Sequence, residues 1–470
     1  MNIDLVIVVL YFVITLVVGI FSGRSIKNMR DFSVSSKIFP TSVLVSTIFA
    51  TWMGGDDLIG VSERIYSVGL AFFVIALGQS LSFFFHAYVI APKIIRGFSN
   101  KISIGEIMGD LYGKPGQVMS GIANVLFSIA YIAVQVKAIG CICHLFFGVS
   151  HLSGTIIGSF IVIAYSSFGG IRSVVFTDVL QFGILMIGIP LMANVALEKV
   201  GGWEYLLFNL PEQHIELTSY QGSFALFLAY FVYCAFPGFS PMLIQRILMA
   251  KDEKQSTQSL VISGMLYVPF YAVITVIALC AVLMFPNIDP NSAFLNVLDS
   301  SLPTVAKGIA VSGVLAVIMS TADSFLNVSA VAATRDVIAV LWPDKINDGT
   351  ELMLSRAITV FLGIVSIDVA TRFTSMIDFG LYFSNFWTPT VVAPMFLYLF
   401  NLKTDIKTYL VSIAVGFMSI VIFRYSVPED YTIISQIFGA LVTFFSMFIL
   451  GKCSGTLSRP YDSALAVSRV

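Results

Sequence analysis

Residues 320–324 place hydroxyl groups and a carboxylate side by side within an otherwise apolar stretch of the chain. The segment reads Ser-Thr-Ala-Asp-Ser, and the apolar stretch around it runs from Ile309 to Ala333. Oxygen ligands of this kind suit hard cations. An ionisable group at membrane depth is costly unless it faces a cavity or a partner, so it indicates a functional site. We predict a cation site here; the alternative is hydroxyls bonded to their own helix, with Asp323 solvated at one end.

The composition of the chain is that of a membrane protein. Its 470 residues are 57% hydrophobic and 11% charged, which is less than half the charged fraction of an average soluble domain. The net charge of -1 comes without a basic patch, so we expect no nucleic-acid partner. The five cysteines lie mostly in apolar runs, which favours free thiols over an extracellular disulfide framework.

Apolar windows long enough to cross a bilayer recur along the whole chain. Windows of about 20 residues predict thirteen membrane-spanning helices, because the hydrocarbon core requires that length. They begin near residues 3, 41, 69, 117, 152, 173, 222, 257, 304, 353, 375, 405 and 431. The first window follows only Met1 and Asn2, so it lacks the basic start of a signal peptide and is predicted to be retained.

The basic residues predict how these helices are oriented. Lys and Arg gather in alternate connections, and the positive-inside rule then places the N-terminus outside and the C-terminus in the cytoplasm. We expect a multi-pass protein of the plasma membrane, the inner membrane in a bacterium, with the lipid bilayer as its surrounding partner.

Two of the predicted spans contain helix-breaking sequences near their middle. Residues 50–57 of the second span contain two glycines followed by Asp56 and Asp57, and residues 235–241 of the seventh contain two prolines and a glycine. Breaks five spans apart are typical of transporters with two inverted repeats, whose unwound backbone forms the binding site. Ordinary proline or glycine kinks are the alternative interpretation.

The predicted spans form a single transmembrane transporter domain. An N-terminal helix, residues 3–22, precedes two five-helix repeats at residues 41–198 and 222–399. Two further helices within residues 405–451 and a cytoplasmic tail, residues 452–470, complete the chain. An odd number of helices gives the two repeats opposite topologies, in agreement with the distribution of basic residues.

Several motifs resemble those of the sodium:solute symporter family, which contains sodium-coupled proline, glucose, sialate, pantothenate and choline carriers. They are Gly169-Gly170 followed by Phe176 to Gln181, Gln245-Arg246, and Met319 to Ser324 followed by Thr334-Arg335-Asp336. The resemblance covers most of the chain. It implies an all-α LeuT-type fold, in which one helix precedes and two follow a 5+5 inverted-repeat core. It also implies transport by alternating access with Na⁺ as the coupling ion.

The resemblance further implies where sodium binds. The principal sodium of the family lies between the broken first core helix and the eighth core helix. Its ligands correspond here to the carbonyl groups of Ala50, Met53 and Val317 and the hydroxyls of Ser320 and Thr321. A second sodium, present in some members, corresponds to Ser320 again with Asp178, Asp323 and Ser324. Asp323 stands where some relatives carry a hydroxyl.

Side chains beside the two breaks are the predicted substrate contacts. They are Trp52, Asp56, Asp57, Tyr131, Gln135, Phe236, Phe239 and Tyr382. The first break most resembles the choline-carrier branch, where the tryptophan matching Trp52 contributes to an aromatic cage. An amine held over such rings gains cation–π attraction, and a nearby carboxylate neutralises its charge.

Lys137 places a cation inside the fourth predicted span. Because unpaired buried charges are costly, we hypothesise that Lys137 pairs with one of the two neighbouring aspartates, Asp56 or Asp57. One net acidic group would then remain for the solute.

These features together predict a monomeric sodium symporter that imports a small amine-bearing or zwitterionic solute, such as choline, betaine, proline or a similar amino acid. A sodium-coupled sugar, nucleoside or carboxylate carrier of the same fold is the alternative, and a membrane sensor is the alternative outside transport. We do not expect an enzyme, since the chain contains neither a His-Glu-x-x-His string nor a Gly-x-Ser-x-Gly elbow.

Overall fold

The structure, a computed structural model, describes residues 3–372 and 384–459. Within these ranges the regular structure is helical, with short 3-10 and π segments and no β-strand, so the all-α prediction is confirmed.

Residues 3–223 contain ten α-helices. They are α1 (Ile3–Gly23), α2 (Met29–Ser33), α3 (Thr41–Trp52), α4 (Val61–Val68), α5 (Leu70–Phe85), α6 (Ala91–Phe98), α7 (Ile104–Phe147), α8 (His151–Val200), α9 (Gly202–Asn209) and α10 (Glu212–Ile215).

The described part of the second half contains a further ten named α-helices. They are α11 (Phe224–Ala235), α12 (Pro241–Met249), α13 (Glu253–Met284), α14 (Ala293–Ser301), α15 (Ala306–Val331), α16 (Ala339–Leu341), α17 (Asp348–Arg372), α18 (Ala393–Leu399), α19 (Ile406–Ser426) and α20 (Ser435–Cys453).

The described helices include nine runs that are long and apolar enough to cross a membrane. One further pair, residues 29–37 with α3, passes the same test across a bend of 119°. Two predicted spans fall within the 50-residue α8, and the predicted spans that begin near residues 41 and 222 are each divided into two helices. Part of the eleventh predicted span lies outside the described residues.

Gly170 marks the point inside α8 at which one predicted span passes into the next. Its φ of 47° lies in the left-handed region that favours glycine. A Cβ atom at Gly170 would lie 2.5 Å from the ring and 2.6 Å from the carbonyl oxygen of Phe32. The Gly169-Gly170 motif therefore permits a tight change of direction against the segment that precedes α3.

Helix α15 lies at the centre of the bundle. In the helical run Ala306–Leu341, which contains α15, 94% of the most apolar stretch is buried within the protein. The corresponding share is 22% for α1 and 28% for the run that contains α20. Long apolar side chains on the outer helices face outward, as expected where lipid replaces water. The segment 320–324 is therefore buried among helices and does not face lipid.

Candidate functional site

The first helix break separates α3 from the helical turn that leads into α4. Helix α3 ends at Trp52, and Met53 has a non-helical ψ of 88°. Helical backbone resumes at Gly55, and a π-type turn from Asp56 to Gly60 continues into α4. The amide of Gly55 donates to the side-chain oxygen of Gln135 at 3.1 Å. The break thus exposes backbone groups beside α7.

The second break separates α11 from α12. Helix α11 ends at Ala235, and Phe236 is extended with a ψ of 123°. Phe239 has a positive φ of 49°, and Pro241 begins α12 at a position where a missing amide donor is tolerated. The carbonyl of Gly238 accepts a hydrogen bond from the indole of Trp387 at 3.0 Å.

The hydroxyls of Ser320 and Thr321 point at the broken end of α3. Ser320 donates to the carbonyl oxygen of Ala50 at 2.6 Å, and that of Val317 lies 2.8 Å from the same hydroxyl. Thr321 donates to the carbonyl oxygen of Thr51 at 3.1 Å. All of these groups are buried. In this arrangement, neutral oxygens of α3 and α15 lie close together. Such a donor set suits a hard monovalent cation.

Of the five predicted ligands of the principal sodium, the structure therefore brings Ala50, Val317, Ser320 and Thr321 into direct contact. Met53, the fifth, is fully buried at the unwound turn that follows α3. Its amide still bonds to the carbonyl of Phe49 at 3.0 Å, so the helix unwinds only beyond this residue.

Two carboxylates lie one side chain away from these oxygens. Asp178 on α8 accepts hydrogen bonds from the hydroxyls of Thr47 and Thr51, the second at 3.3 Å. Asp323 on α15 accepts one from the phenol of Tyr165 at 2.5 Å. Both aspartates have 0% exposed surface. Their burial explains why hydroxyl donors from three helices surround them, because a buried charge must be solvated by the protein.

Arg246 on α12 also enters this region, although the sequence analysis treated it only as part of a motif. Its terminal nitrogen donates to Thr51 at 2.8 Å and to Ser324 at 2.6 Å, and lies 3.5 Å from a carboxylate oxygen of Asp178. The side chain is 1% exposed. An arginine at the end of an apolar, proline-started helix was the signal that could have identified it.

The predicted polar contacts of the solute lie at the first break. Asp57 is half-buried and accepts a hydrogen bond from the phenol of Tyr271 at 2.8 Å, and Gln135 is fully buried. The side chain of Asp56 and the whole of Tyr382 lie outside the described structure. The pairing of Lys137 with an aspartate stays a prediction.

The predicted aromatic contacts are distributed over separate ring clusters. Trp52 packs edge-on against Phe83, with ring centroids 5.4 Å apart. Tyr131 stacks on Phe325 at 4.9 Å. The ring pairs found among the described residues do not join Trp52 to Tyr131, so each ring packs within its own helix interface.

Phe236 and Phe239 flank the second break and share one neighbour. Their rings lie 5.5 Å and 5.3 Å from that of Phe396. Phe239 is fully buried, whereas Phe236 is half-buried. Of the two, Phe236 is therefore the ring with surface left for a further contact.

Comparison with known protein sequences identifies relatives across most of the chain. A model of the sodium:solute symporter family matches residues 34–416. A sodium/proline symporter of Staphylococcus aureus strain JH9 is 24% identical over 388 residues, which cover 78% of this chain and 74% of that protein.

Comparison with solved structures extends the likeness to the fold. A Na⁺-coupled sialic acid symporter in a substrate-bound outward-open state matches with a TM-score of 0.85 at 16% identity, over 98% of this chain and 99% of that one. A nucleobase-cation-symport-1 family transporter in a closed conformation matches with a TM-score of 0.58 at 13% identity, over 90% of this chain and 95% of that one. These likenesses establish the LeuT-type fold that the sequence predicts.

Proposed function

The chain belongs to the sodium:solute symporter family, and on that premise we propose that it imports a small amine-bearing or zwitterionic solute together with sodium. It is a multi-pass membrane transporter and not an enzyme. The observation that carries the proposal is the contact of Ser320 and Thr321 with the carbonyl groups at the broken end of α3.

Sodium in this proposal is held by Ala50, Met53, Val317, Ser320 and Thr321. The ion would replace the hydrogen bonds that now join the hydroxyls of α15 to the carbonyls of α3, so it would tie a continuous helix to an interrupted one. The solute contacts the same interrupted helix. Sodium binding and solute binding are then coupled, and the coupling is reciprocal.

The solute in this proposal lies beside the two breaks. Its predicted contacts are Trp52, Asp56, Asp57, Tyr131, Gln135, Phe236, Phe239 and Tyr382, with Lys137 as a charge partner of an aspartate. The half-buried carboxylate of Asp57 supports a solute with a cationic group, because a neutral polyol has less need of a charge and an anion is repelled. The relative from Staphylococcus aureus is named for proline, which is a zwitterion.

We further propose that the N-terminus lies outside and the C-terminus in the cytoplasm. With this orientation, the connections that are rich in Lys and Arg lie on the cytoplasmic side. In a bacterium the membrane concerned is the inner membrane. The repeat boundaries at 41–198 and 222–399 stay predictions.

A ligand screen followed by an uptake assay tests the proposal. Purified protein is first screened by thermal shift against amines, amino acids and sugars, each with and without sodium, because a ligand of the folded state raises its stability. The best ligand is then supplied in radioactive form to proteoliposomes under an inward sodium gradient. We expect uptake that stops when potassium replaces sodium. Stabilisation only by sugars or carboxylates would identify the alternative class of solute, and uptake that persists in potassium would contradict sodium coupling.

Ser320→Ala tests the sodium site, and Ser312→Ala is its matched control. Ser312 is also a buried hydroxyl on α15, but it donates only to the carbonyl of Gly308 in the preceding turn. We expect Ser320→Ala to raise the sodium concentration for half-maximal uptake by at least about tenfold, an effect that loss of a metal-site partner commonly has. The control should leave this concentration unchanged; equal values for both variants would exclude Ser320 as a ligand.

A further inference from the structure

We infer that the guanidinium of Arg246 takes the position of a second sodium ion, so that this protein binds one sodium per chain. The inference rests on the proposed function and concerns the number of ions. The sequence resemblance associates a possible second sodium with Asp178, Ser320, Asp323 and Ser324. The structure brings a side-chain cation to Asp178 and Ser324.

The contacts of Arg246 are those that a bound cation would make. One nitrogen lies 2.6 Å from the hydroxyl of Ser324, 2.8 Å from that of Thr51 and 3.5 Å from the carboxylate of Asp178. The hydroxyls of Ser324 and Thr51 are themselves 3.0 Å apart, so these oxygens enclose one small volume. A sodium ion coordinated by the same oxygens would overlap this nitrogen.

The second terminal nitrogen of the arginine is also held by a neighbour. Its other terminal nitrogen donates to the side-chain oxygen of Gln245 at 2.7 Å. The amide nitrogen of Gln245 in turn donates to Asn327 on α15 and to the backbone of Ser33, both at 2.8 Å. All nine residues of α12 are buried. The guanidinium is therefore held between α3, α8 and α15 without access to water, and is a built-in part of the site.

The charges of the cluster agree with a single mobile cation. Asp178 and Asp323 are both fully buried, and Asp323 accepts a hydrogen bond from the phenol of Tyr165 at 2.5 Å. Counted at their formal charges, the two carboxylates and Arg246 leave one negative charge. One sodium at Ser320 and Thr321 neutralises that charge, whereas a second sodium would leave a buried positive charge that is costly to desolvate.

Among the described residues, the other polar groups that pack against the cluster are neutral. Tyr11 of α1 donates to the sulfur of Met319 and accepts from Gln181 at 3.2 Å, and Thr177 of α8 lies 3.4 Å from Asp323. These polar groups orient the carboxylates but do not change their net charge. Among the described residues, Arg246 is therefore the side-chain cation of this cluster.

Equilibrium binding of radioactive sodium to the purified full-length protein tests the inference without knowledge of the solute. The buffer contains potassium as the replacing cation, and the readouts are sodium ions bound per chain and the Hill coefficient. We expect one ion per chain and a Hill coefficient of about 1, since this coefficient cannot exceed the number of coupled sites. Two ions per chain in the unmodified protein would overturn the inference while leaving the proposed function intact. Absence of saturable binding would overturn both.

Arg246→Ala should open the second position. The variant leaves two carboxylates, and one oxygen of Asp178 already has no hydrogen-bond partner among the described residues. We expect two sodium ions per chain in this variant. In the double variant Arg246→Ala with Asp323→Ser, one carboxylate remains, and binding should return to one ion. A folded Arg246→Ala protein that still binds one ion with unchanged affinity would overturn the inference.

Two further variants separate this effect from general damage. Arg246→Lys keeps the positive charge, so this variant should bind one ion. It is also the deciding variant if Arg246→Ala does not fold. Arg335→Ala is the matched control, because Arg335 also lies between two carboxylates, those of Glu106 and Glu351. It should bind one ion, as the unmodified protein does; two ions in either variant would contradict the role assigned to Arg246.

Discussion

Two arginines in this protein each lie between two acidic side chains, yet they lie in different surroundings. Arg335, just beyond α15, contacts Glu106 of α7 at 2.8 Å and Glu351 of α17 at 3.0 Å with 37% of its side chain exposed. Arg246 lies at the centre of the bundle with 1% exposed. The difference teaches that burial, rather than the ion pair itself, decides whether water or protein groups solvate the charge.

The physical reason is the loss of water. Around Arg335, water solvates part of the guanidinium and screens its pairs, so each pair contributes little to stability. Around Arg246 only protein groups solvate the charges, and every change of charge must be met by another ion. The buried arginine is thus solvated by protein groups alone, whereas the partly exposed one joins helices at one end of the bundle.

The largest effect is expected from Arg246→Ala measured in potassium. Removal of one member of a buried charge cluster typically costs about 3–5 kcal/mol, because the partner charges stay buried without compensation. We expect a marked fall in the thermal unfolding midpoint of the purified protein. Added sodium should recover part of the loss, because the ion supplies the missing positive charge. A midpoint equal to that of the unmodified protein would contradict the importance of this cluster.

The next effect concerns Asp323→Ser, which restores the hydroxyl found in some relatives. The variant removes the negative charge that a single sodium neutralises, so sodium affinity should fall by at least about tenfold through loss of charge attraction. Equilibrium binding of radioactive sodium measures this change. Glu351→Gln is the control, since it also removes a carboxylate that pairs with an arginine. Equal affinities in the two variants would show that Asp323 does not act on the ion.

Gly55→Ala tests how closely the first helix break must pack against α15. A Cβ atom there would lie 3.0 Å from the side chain of Ile318 and 3.1 Å from the oxygen of Gln135. We expect the added methyl group to push the broken end of α3 away from α15 and to weaken sodium and solute binding together. Gly60→Ala is the matched control, because nothing lies within 4 Å of a Cβ atom at Gly60. If only the control impaired uptake, the packing argument would be wrong.

The smallest effect is expected from Arg335→Ala. Because 37% of the Arg335 side chain is exposed and water already weakens its ion pairs, the unfolding midpoint should fall less than in Arg246→Ala. A high concentration of a potassium salt should screen the partly exposed charges and reduce the difference in unfolding midpoint between Arg335→Ala and the unmodified protein. The same salt should leave the fall in midpoint caused by Arg246→Ala unchanged, because that cluster is buried. A larger loss for Arg335→Ala than for Arg246→Ala would reverse the comparison.

The sequence predicted local features of the site well. The two breaks at residues 50–57 and 235–241 occur where glycine, proline and carboxylates interrupt apolar runs, since these residues weaken a helix wherever they lie. Ser320 and Thr321 were identified by a motif within a single apolar helix. Such signals depend on neighbours in the chain and need no knowledge of the fold.

Contacts between distant segments could not be obtained in this way. Trp52 and Tyr131 were both predicted to contact the solute, and the structure packs them against Phe83 and Phe325 respectively. Which face of a helix meets which neighbour depends on the packing of all helices at once. Residue type alone therefore identified aromatic candidates without assigning them to a common cluster.

The sequence by itself determined that this is a helical membrane protein with two interrupted spans and a cluster of side-chain oxygens in an apolar segment, because hydropathy, helix breaking and charge are local properties of the chain. Only the tertiary structure decided that Arg246 reaches Thr51, 195 positions away along the chain, and Ser324, 78 positions away. That contact exists because α12 packs between α3 and α15. No periodicity or composition records which helices come together.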